Sequence, residues 1–353
     1  MDLNNKEEIK QIDKSDVYDS VISLPKQAKQ AWEEVMELDL PESYKEVSNI
    51  VFLGMGGSNL GFRIVKEVYV DQLALPAELV NGYRLPKSVD ENTLVIVSSY
   101  SGNTEETLAL ANLALEKQAK LIALTTGGKL AELAKANQFP AYLIDPKHNK
   151  AGQPRLGLGY SVFSQIALFV KLGFIRVEQK EIDIIFSQFE ALLTQWQIEA
   201  VDNNQAKALA QKLVGKLPIW LGADHLAGNT RVAHNITNET PKVYSSYYVL
   251  PDLNHHLMEG LKNPPEVTKH LAVLAFDSNL YHARNQKRLE VTKLVVEKNS
   301  VDWYSYKPQA ETKLGQACEV LLLSNFIVFY LSMLYKEDPC PIPWVNFFKE
   351  NLG

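Results

Sequence analysis

Cysteine is nearly absent. Two residues, Cys318 and Cys340, in a chain of 353 cannot build a disulfide scaffold and fit a reducing cytoplasm. Positive charge is not in excess. A formal net charge of -6 argues against a general nucleic-acid surface, which is normally basic. Low-complexity tracts are missing, and the opening MDLNNKEEIKQIDKSD is charged throughout, without the apolar core of a signal peptide. The seven histidines show neither His-x-His nor His-Glu-x-x-His spacing and have no cysteine cluster beside them, so no metal is expected. One long apolar run exists, VLLLSNFIVFYLSMLY from Val320 to Tyr335. It falls short of the ~20 residues needed to span a bilayer, and Ser324 and Asn325 interrupt it. The expected reading is a core helix and no membrane partner.

What is present describes a two-domain α/β protein. The length suits two cores of ordinary size, and 46% hydrophobic with 22% charged residues is a globular composition. Residues 16–37 read as an amphipathic helix interrupted near Pro25. Strands are expected at Asn49–Leu53, Ala77–Val80, Thr93–Ser98, Lys120–Leu124 and Ala141–Ile144, with helices between them. This alternation predicts mainly parallel sheets flanked by helices in three layers, with ligands at the carboxyl ends of the strands. A glycine-free helical stretch lies between Gly173 and Gly215. After it the rhythm repeats weakly at Leu217–Gly222, His270–Phe276 and Ser300–Tyr304, as an internal duplication would. The expected segments are 1–40 (helical), 41–160 (first domain), 161–203 (helical connector) and 204–353 (second domain).

Chemistry gathers at the first strand ends. Gly54-Met55-Gly56-Gly57-Ser58 breaks a strand into a helix start, where bare backbone N–H groups and the helix dipole favour a phosphate. It is not a dinucleotide fingerprint, because Asn59 stands where the third glycine belongs, and no Gly-Lys-Ser/Thr makes it a Walker loop. After the Thr93–Ser98 strand, Ser99, Ser101 and Thr104 place three hydroxyls within six residues at another helix start. A helix cap needs one hydroxyl, and three suggest an anion. The next strand ends in Gly127-Gly128. The second half has Gly222-Ala223-Asp224-His225 and Asp277-Ser278-Asn279 at the matching places, without the phosphate chemistry.

GMGGS, then SSYSGNTEET, then a Gly-Gly turn, in that order, resembles the sugar isomerase (SIS) domain. Within that group the chain is similar to the bifunctional phosphoglucose/phosphomannose isomerases of archaea and bacteria. The likeness extends through SLPKQ, Gln153-Pro154-Arg155, Asn238-Glu239, Leu253-Asn254-His255 and Phe348-Lys349. The resemblance implies a cofactor-free cytoplasmic homodimer that isomerises sugar 6-phosphates through a cis-enediolate, as in glycolysis and gluconeogenesis. Gly56, Gly57, Ser58, Ser99, Tyr100, Ser101 and Thr104 would hold the phosphate. Glu239 would be the proton-transfer base, Arg155 would stabilise the enediolate, and His255 and Lys349 would serve ring opening. Without the resemblance, Glu239 reads rather as a solvated helix-end carboxylate and Lys349 as a solvated terminal charge. Asn59-Leu60 and Thr240-Pro241 depart from the family's usual residues and put substrate preference in question. The alternatives are a non-catalytic SIS-type regulator, which would need an attached DNA-binding segment, and a glucosamine-phosphate synthase, which would need an N-terminal cysteine and a glutaminase domain.

Overall fold

The computed structural model describes residues 1–352. They divide into two compact units, one of residues 23–187 and one of residues 1–22 with the chain from 188 onward. Helices α1 (Lys6–Ile12) and α2 (Val17–Ile22) open the chain, and α3 (Leu24–Met36) follows with Pro25 in its first turn. The interruption expected at Pro25 is therefore a helix start, where a missing N–H costs little.

The unit of residues 23–187 holds β1 (Asn49–Gly54), α4 (Leu60–Val68), β2 (Ala77–Val80), β3 (Thr93–Ser98), α5 (Glu105–Glu116), β4 (Lys120–Thr125), α6 (Gly128–Asn137), β5 (Ala141–Leu143) and α7 (Leu158–Lys171). All five strands are parallel, in the order β2-β1-β3-β4-β5. Strand alternation divides the core. Val51, Leu53, Val95, Val97, Leu121 and Ala123 pack with Leu110, Ala111, Ala114 and Leu130 of α5 and α6. Phe52 turns the other way and stacks on Phe62 of α4 at 4.6 Å. Helix α3 lies against α7, and buried Gln27 secures that contact. Its amide donates to the carbonyls of His148 (3.0 Å) and Leu156 (2.9 Å), and its oxygen accepts from Gly159 N–H (3.1 Å). The segment expected to connect the domains thus begins with a core helix of this unit.

Helix α8 (Gln179–Trp196) carries the chain into the second unit. There follow α9 (Gln205–Lys212), β6 (Leu217–Ala223), α10 (Ala227–Glu239), β7 (Ser246–Leu250), α11 (Pro265–Thr268), β8 (Leu271–Phe276), α12 (Ala283–Lys298), β9 (Asp302–Tyr306), α13 (Lys313–Tyr335) and α14 (Pro343–Leu352). The sheet is again parallel, in the order β7-β6-β8-β9, so it repeats the first sheet without a counterpart of β5. Strand β7 is an addition to the expected elements. Its Ser-Tyr-Tyr-Val-Leu composition is typical of a strand. Helices α1 and α2 also join this unit, where Tyr18 packs 5.4 Å from Phe329 of α13 and accepts the Ile198 N–H at 3.0 Å.

The long apolar run lies in α13, and 94% of its most apolar stretch is buried within the protein. Its hydrophobicity therefore serves the core. Glu319, on this helix and 2% exposed, takes up the donors of the chain entering it. Its carboxylate accepts from Tyr306 Oη (2.5 Å), Gln309 N (2.9 Å) and Ala310 N (3.0 Å). Glu319→Ala leaves three donors without their acceptor in a dry site. A loss of about 3 kcal/mol in denaturant titration is expected. A loss below about 1 kcal/mol would show that water replaces the carboxylate there.

Candidate active site

The three loops after β1, β3 and β4 interlock at the carboxyl edge of the first sheet. After Gly54 the chain runs extended through Met55, and Gly56 takes φ of 49° with open space around it, so backbone conformation selects glycine there. At Gly57 the reason is proximity. A Cβ would stand 2.9 Å from both Arg155 N and Pro154 Cβ. Ser58 ties the first loop to the second: its Oγ accepts the Tyr100 N–H at 3.0 Å, and its carbonyl accepts from Ser98 Oγ at 3.0 Å.

The second and third loops meet through glycines. At Gly102 (φ 71°) a Cβ would collide with the Gly127 carbonyl, and at Gly128 (φ 64°) it would come within 2.5 Å of the Ser101 carbonyl. Thr126 completes the lock, with N (2.9 Å) and Oγ1 (2.6 Å) both donating to the Tyr100 carbonyl. The N-termini of α4, α5 and α6 therefore converge on one edge, where their aligned dipoles favour an anion.

The expected phosphate residues lie together here but in unequal states. Gly56, Ser101 and the Thr104 cap are at or near the surface, while Ser99 is fully buried and its Oγ lies 2.9 Å from Thr104 Oγ1. The Ser99 hydroxyl therefore supports Thr104 rather than standing beside it as an open donor. Tyr100 is half-buried, and its hydroxyl accepts from Asn149 Nδ2 at 2.7 Å. Burial raises its pKa above the ordinary phenol value, against the opposing Asn149 bond, so it stays neutral at neutral pH. Arg155 is 1% exposed and donates from Nη1 to Gln153 Oε1 at 3.1 Å, in the turn whose backbone abuts Gly57. Ser98 and Thr126, which hold these loops from behind, were not among the expected site residues. Their signal was a hydroxyl at or just beyond the last position of a buried strand.

In the other unit, Glu239 ends α10 half-buried, just ahead of buried Thr240 and Pro241. Lys242 (φ 56°) fixes that helix end, donating to the Thr240 (2.9 Å) and Asp338 (2.8 Å) carbonyls. The segment leading into α14 therefore starts on the same side as Glu239. Lys349 lies in the last turn of α14, a helix with no buried residue, whose Trp344 and Phe348 are 80% and 60% exposed. Upstream on α10, Arg231 stacks 4.9 Å from the Tyr247 ring. His234 bonds Ser245 Oγ at 3.1 Å, and burial, then the Arg231 charge, lowers its pKa.

His255 sits elsewhere. It is an exposed residue in the helical turn after β7. The neighbouring Asn254 pins this turn to α12, donating to Thr292 Oγ1 (2.8 Å) and accepting from Arg288 (3.2 Å). Helix α10 joins the parallel strands β6 and β7, so it must return from the edge where strands end to the edge where they begin. Glu239 stands at the beginning edge and His255 at the ending edge, with five-residue β7 between them. That strand is about 16 Å long. The expectation that the second domain gathers Glu239, His255 and Lys349 is corrected here: one copy keeps Glu239 and His255 apart.

Comparison with known proteins agrees with this architecture. Residues 71–171 match the SIS domain, and residues 202–352 match the bacterial phospho-glucose isomerase C-terminal SIS domain. The chain is 32% identical to a bifunctional phosphoglucose/phosphomannose isomerase of Caldicellulosiruptor bescii, across 96% of this chain and 99% of that one. It is 29% identical to the protein of the same description from Aquifex aeolicus, across 89% and 93%. Among solved structures, the C-terminal domain of a Francisella tularensis glucosamine-fructose-6-phosphate aminotransferase superimposes with a TM-score of 0.68 at 12% identity. It covers 92% of this chain and 97% of its own, and shares the fold.

Gly57→Ala tests the packing of the first loop. The new methyl would push against Pro154 and the Arg155 backbone. Inorganic phosphate should bind at least about ten-fold more weakly by calorimetry, the equivalent of about 1.4 kcal/mol. Unchanged affinity would mean that the contact has no bearing on the anion seat.

Proposed function

The chain belongs to the bifunctional phosphoglucose/phosphomannose isomerase family, and from that premise we propose that it interconverts glucose 6-phosphate and mannose 6-phosphate with fructose 6-phosphate. The observation that carries this reading is the seat of three glycine-bearing loops and three helix N-termini at one sheet edge, joined by the Ser58–Tyr100 bond. It suits a substrate held by a phosphate at one end while the other end reacts.

The chemistry assigns each remaining group a role. His255 and Lys349 move the proton between ring oxygen and anomeric hydroxyl as the ring opens. Glu239 removes the proton from C2 of the open aldose, the C–H pair forms the C1–C2 double bond, and the carbonyl oxygen at C1 takes the charge. Arg155, permanently cationic, stabilises that oxygen. The same carboxyl then delivers the proton to C1, while a proton passes from O2 to O1 and C2 becomes the carbonyl. Glucose and mannose 6-phosphate differ only at C2 and share one enediolate. The two cysteines are both buried, and neither forms a disulfide, which suits the cytoplasm we propose for it.

The separation of Glu239 from His255 favours a homodimer in which Glu239 works with His255 of the partner subunit. A hexose cannot reach across the sheet, whereas a two-fold symmetric pair brings such edges together twice. Glu239→Gln should lower kcat by about 10²- to 10⁴-fold in a coupled assay with fructose 6-phosphate, and full turnover would sink the assignment.

Mixing tests the pairing. Glu239→Gln and His255→Ala, each inactive alone, should regain about a quarter of wild-type activity after subunit exchange, because half of the dimers are mixed and each carries one intact site. No recovery, with mixed dimers demonstrated, would place both groups in one chain.

A further inference from the structure

Behind the phosphate loops, α7 presents a polar patch that the reaction above does not use. Gln165 is fully buried; its Nε2 donates to Ser161 Oγ at 3.3 Å, and its Oε1 has no hydrogen-bond partner. Gly61, in the first turn of α4, is a glycine because a Cβ there would strike Ser161 Oγ and approach Gln165 Nε2 to 2.8 Å. The start of α4 is thus pressed onto this pair. Between α7 and the loops lies a small, partly open cavity of about 20 Å³, lined by Ser58, Ser98, Tyr100, Ser161 and Ser164 together with glycine, proline and two aliphatic residues. One water molecule requires about 10–15 Å³ and two to four polar partners, so the cavity fits a single water.

The hydroxyl of Ser58 forms one wall. It has two lone pairs and one proton. One lone pair accepts the Tyr100 N–H at 3.0 Å. If the second is also occupied, the proton has only the outward direction left. Ser161 is the group placed to occupy it, because the Gln165 amide fills one acceptor position on its oxygen and leaves its O–H to donate.

We propose that Ser161, oriented by Gln165, is a positioning residue for Ser58. Ser161 donates to a single water in the cavity, that water donates to Ser58 Oγ, and the Ser58 proton is thereby directed to the substrate phosphate. Ser161 touches no reacting atom. It removes the rotational freedom that an isolated serine hydroxyl would otherwise lose on binding. The inference rests on the anion-seat reading above and deepens it.

The test is a double-mutant cycle on the full-length protein, with fructose 6-phosphate as substrate and inorganic phosphate as competing ligand. Ser161→Ala should raise KM and the phosphate inhibition constant together by about five-fold, the scale of one net hydrogen bond, with kcat within about two-fold. In a Ser58→Ala background the same substitution should have no further effect, because its target is gone. A merely structural role would instead lower thermal stability and add its loss in both backgrounds. Wild-type protein that neither turns over substrate nor binds phosphate would sink the anion-seat reading itself. Turnover with Ser161→Ala or Ser58→Ala silent, or with the Ser161 loss persisting without Ser58, would overturn the positioning role alone.

Discussion

Close backbone approach at the ends of three parallel strands is the constraint on which the loop cluster at the first sheet edge depends. A helix N-terminus binds an anion with N–H groups that point along its axis, so three such termini serve one ligand only if their loops touch. Side chains stand in the way. The loops after β3 and β4 meet because Gly102 faces the Gly127 carbonyl and Gly128 faces that of Ser101. The loop after β1 meets the Pro154–Arg155 turn because Gly57 has no Cβ. With the backbones in contact, short hydroxyl side chains can join them, as Ser58 joins Tyr100 and Thr126 reaches the Tyr100 carbonyl. Glycine sets the distances, and serine and threonine supply the bonds across them.

Parallel topology imposes a second constraint. Every helix that links parallel neighbours carries its two ends to opposite sheet edges. Glu239 at the end of α10 and His255 in the turn after β7 are therefore sixteen residues apart in sequence and about a strand's length apart in space. No side-chain rotamer bridges that gap. The two-fold dimer proposed above would do so without altering the fold, since a two-fold axis presents the same pair of edges to each other.

The sequence was informative wherever one local signal sufficed. Thr93–Ser98 and Ala77–Val80 read as strands from their β-branched and aliphatic runs and are strands with those bounds. Pro25 marked a break because its ring admits only a helix start. The Val320–Tyr335 run read as a core helix from its length and its two polar residues, and α13 is buried. Three things could not be read locally. The assignment of α1 and α2 to the second unit depends on long-range contacts such as Tyr18 with Phe329. The burial of Ser99 depends on Thr104 folding back over it. The separation of Glu239 from His255 depends on the direction in which β7 pairs with β6, which no local signal carries.

The two halves repeat one sheet order but differ in the polar groups at their carboxyl edges. In the second sheet the matching loop places Asp224 (φ 45°) where the first has Gly56 (φ 49°). Its carboxylate accepts from His282 N and Asn285 Nδ2, each at 2.7 Å, at the start of α12. Donors that could face an external anion are thus already engaged by one the chain supplies. Behind it, Gln316 Oε1 lies 3.0 Å from His225 Nε2 and accepts from Ser278 Oγ at 2.6 Å, so the remaining polar groups largely satisfy one another. Burial lowers the His225 pKa and keeps the ring neutral. An internal carboxylate is permanent and pays no entropy of association, so an incoming dianion would have to displace it and would also meet its charge. The second sheet edge is closed by its own side chains, and Glu239, His255 and Lys349 stand instead on the helix end, the β7 turn and the terminal helix.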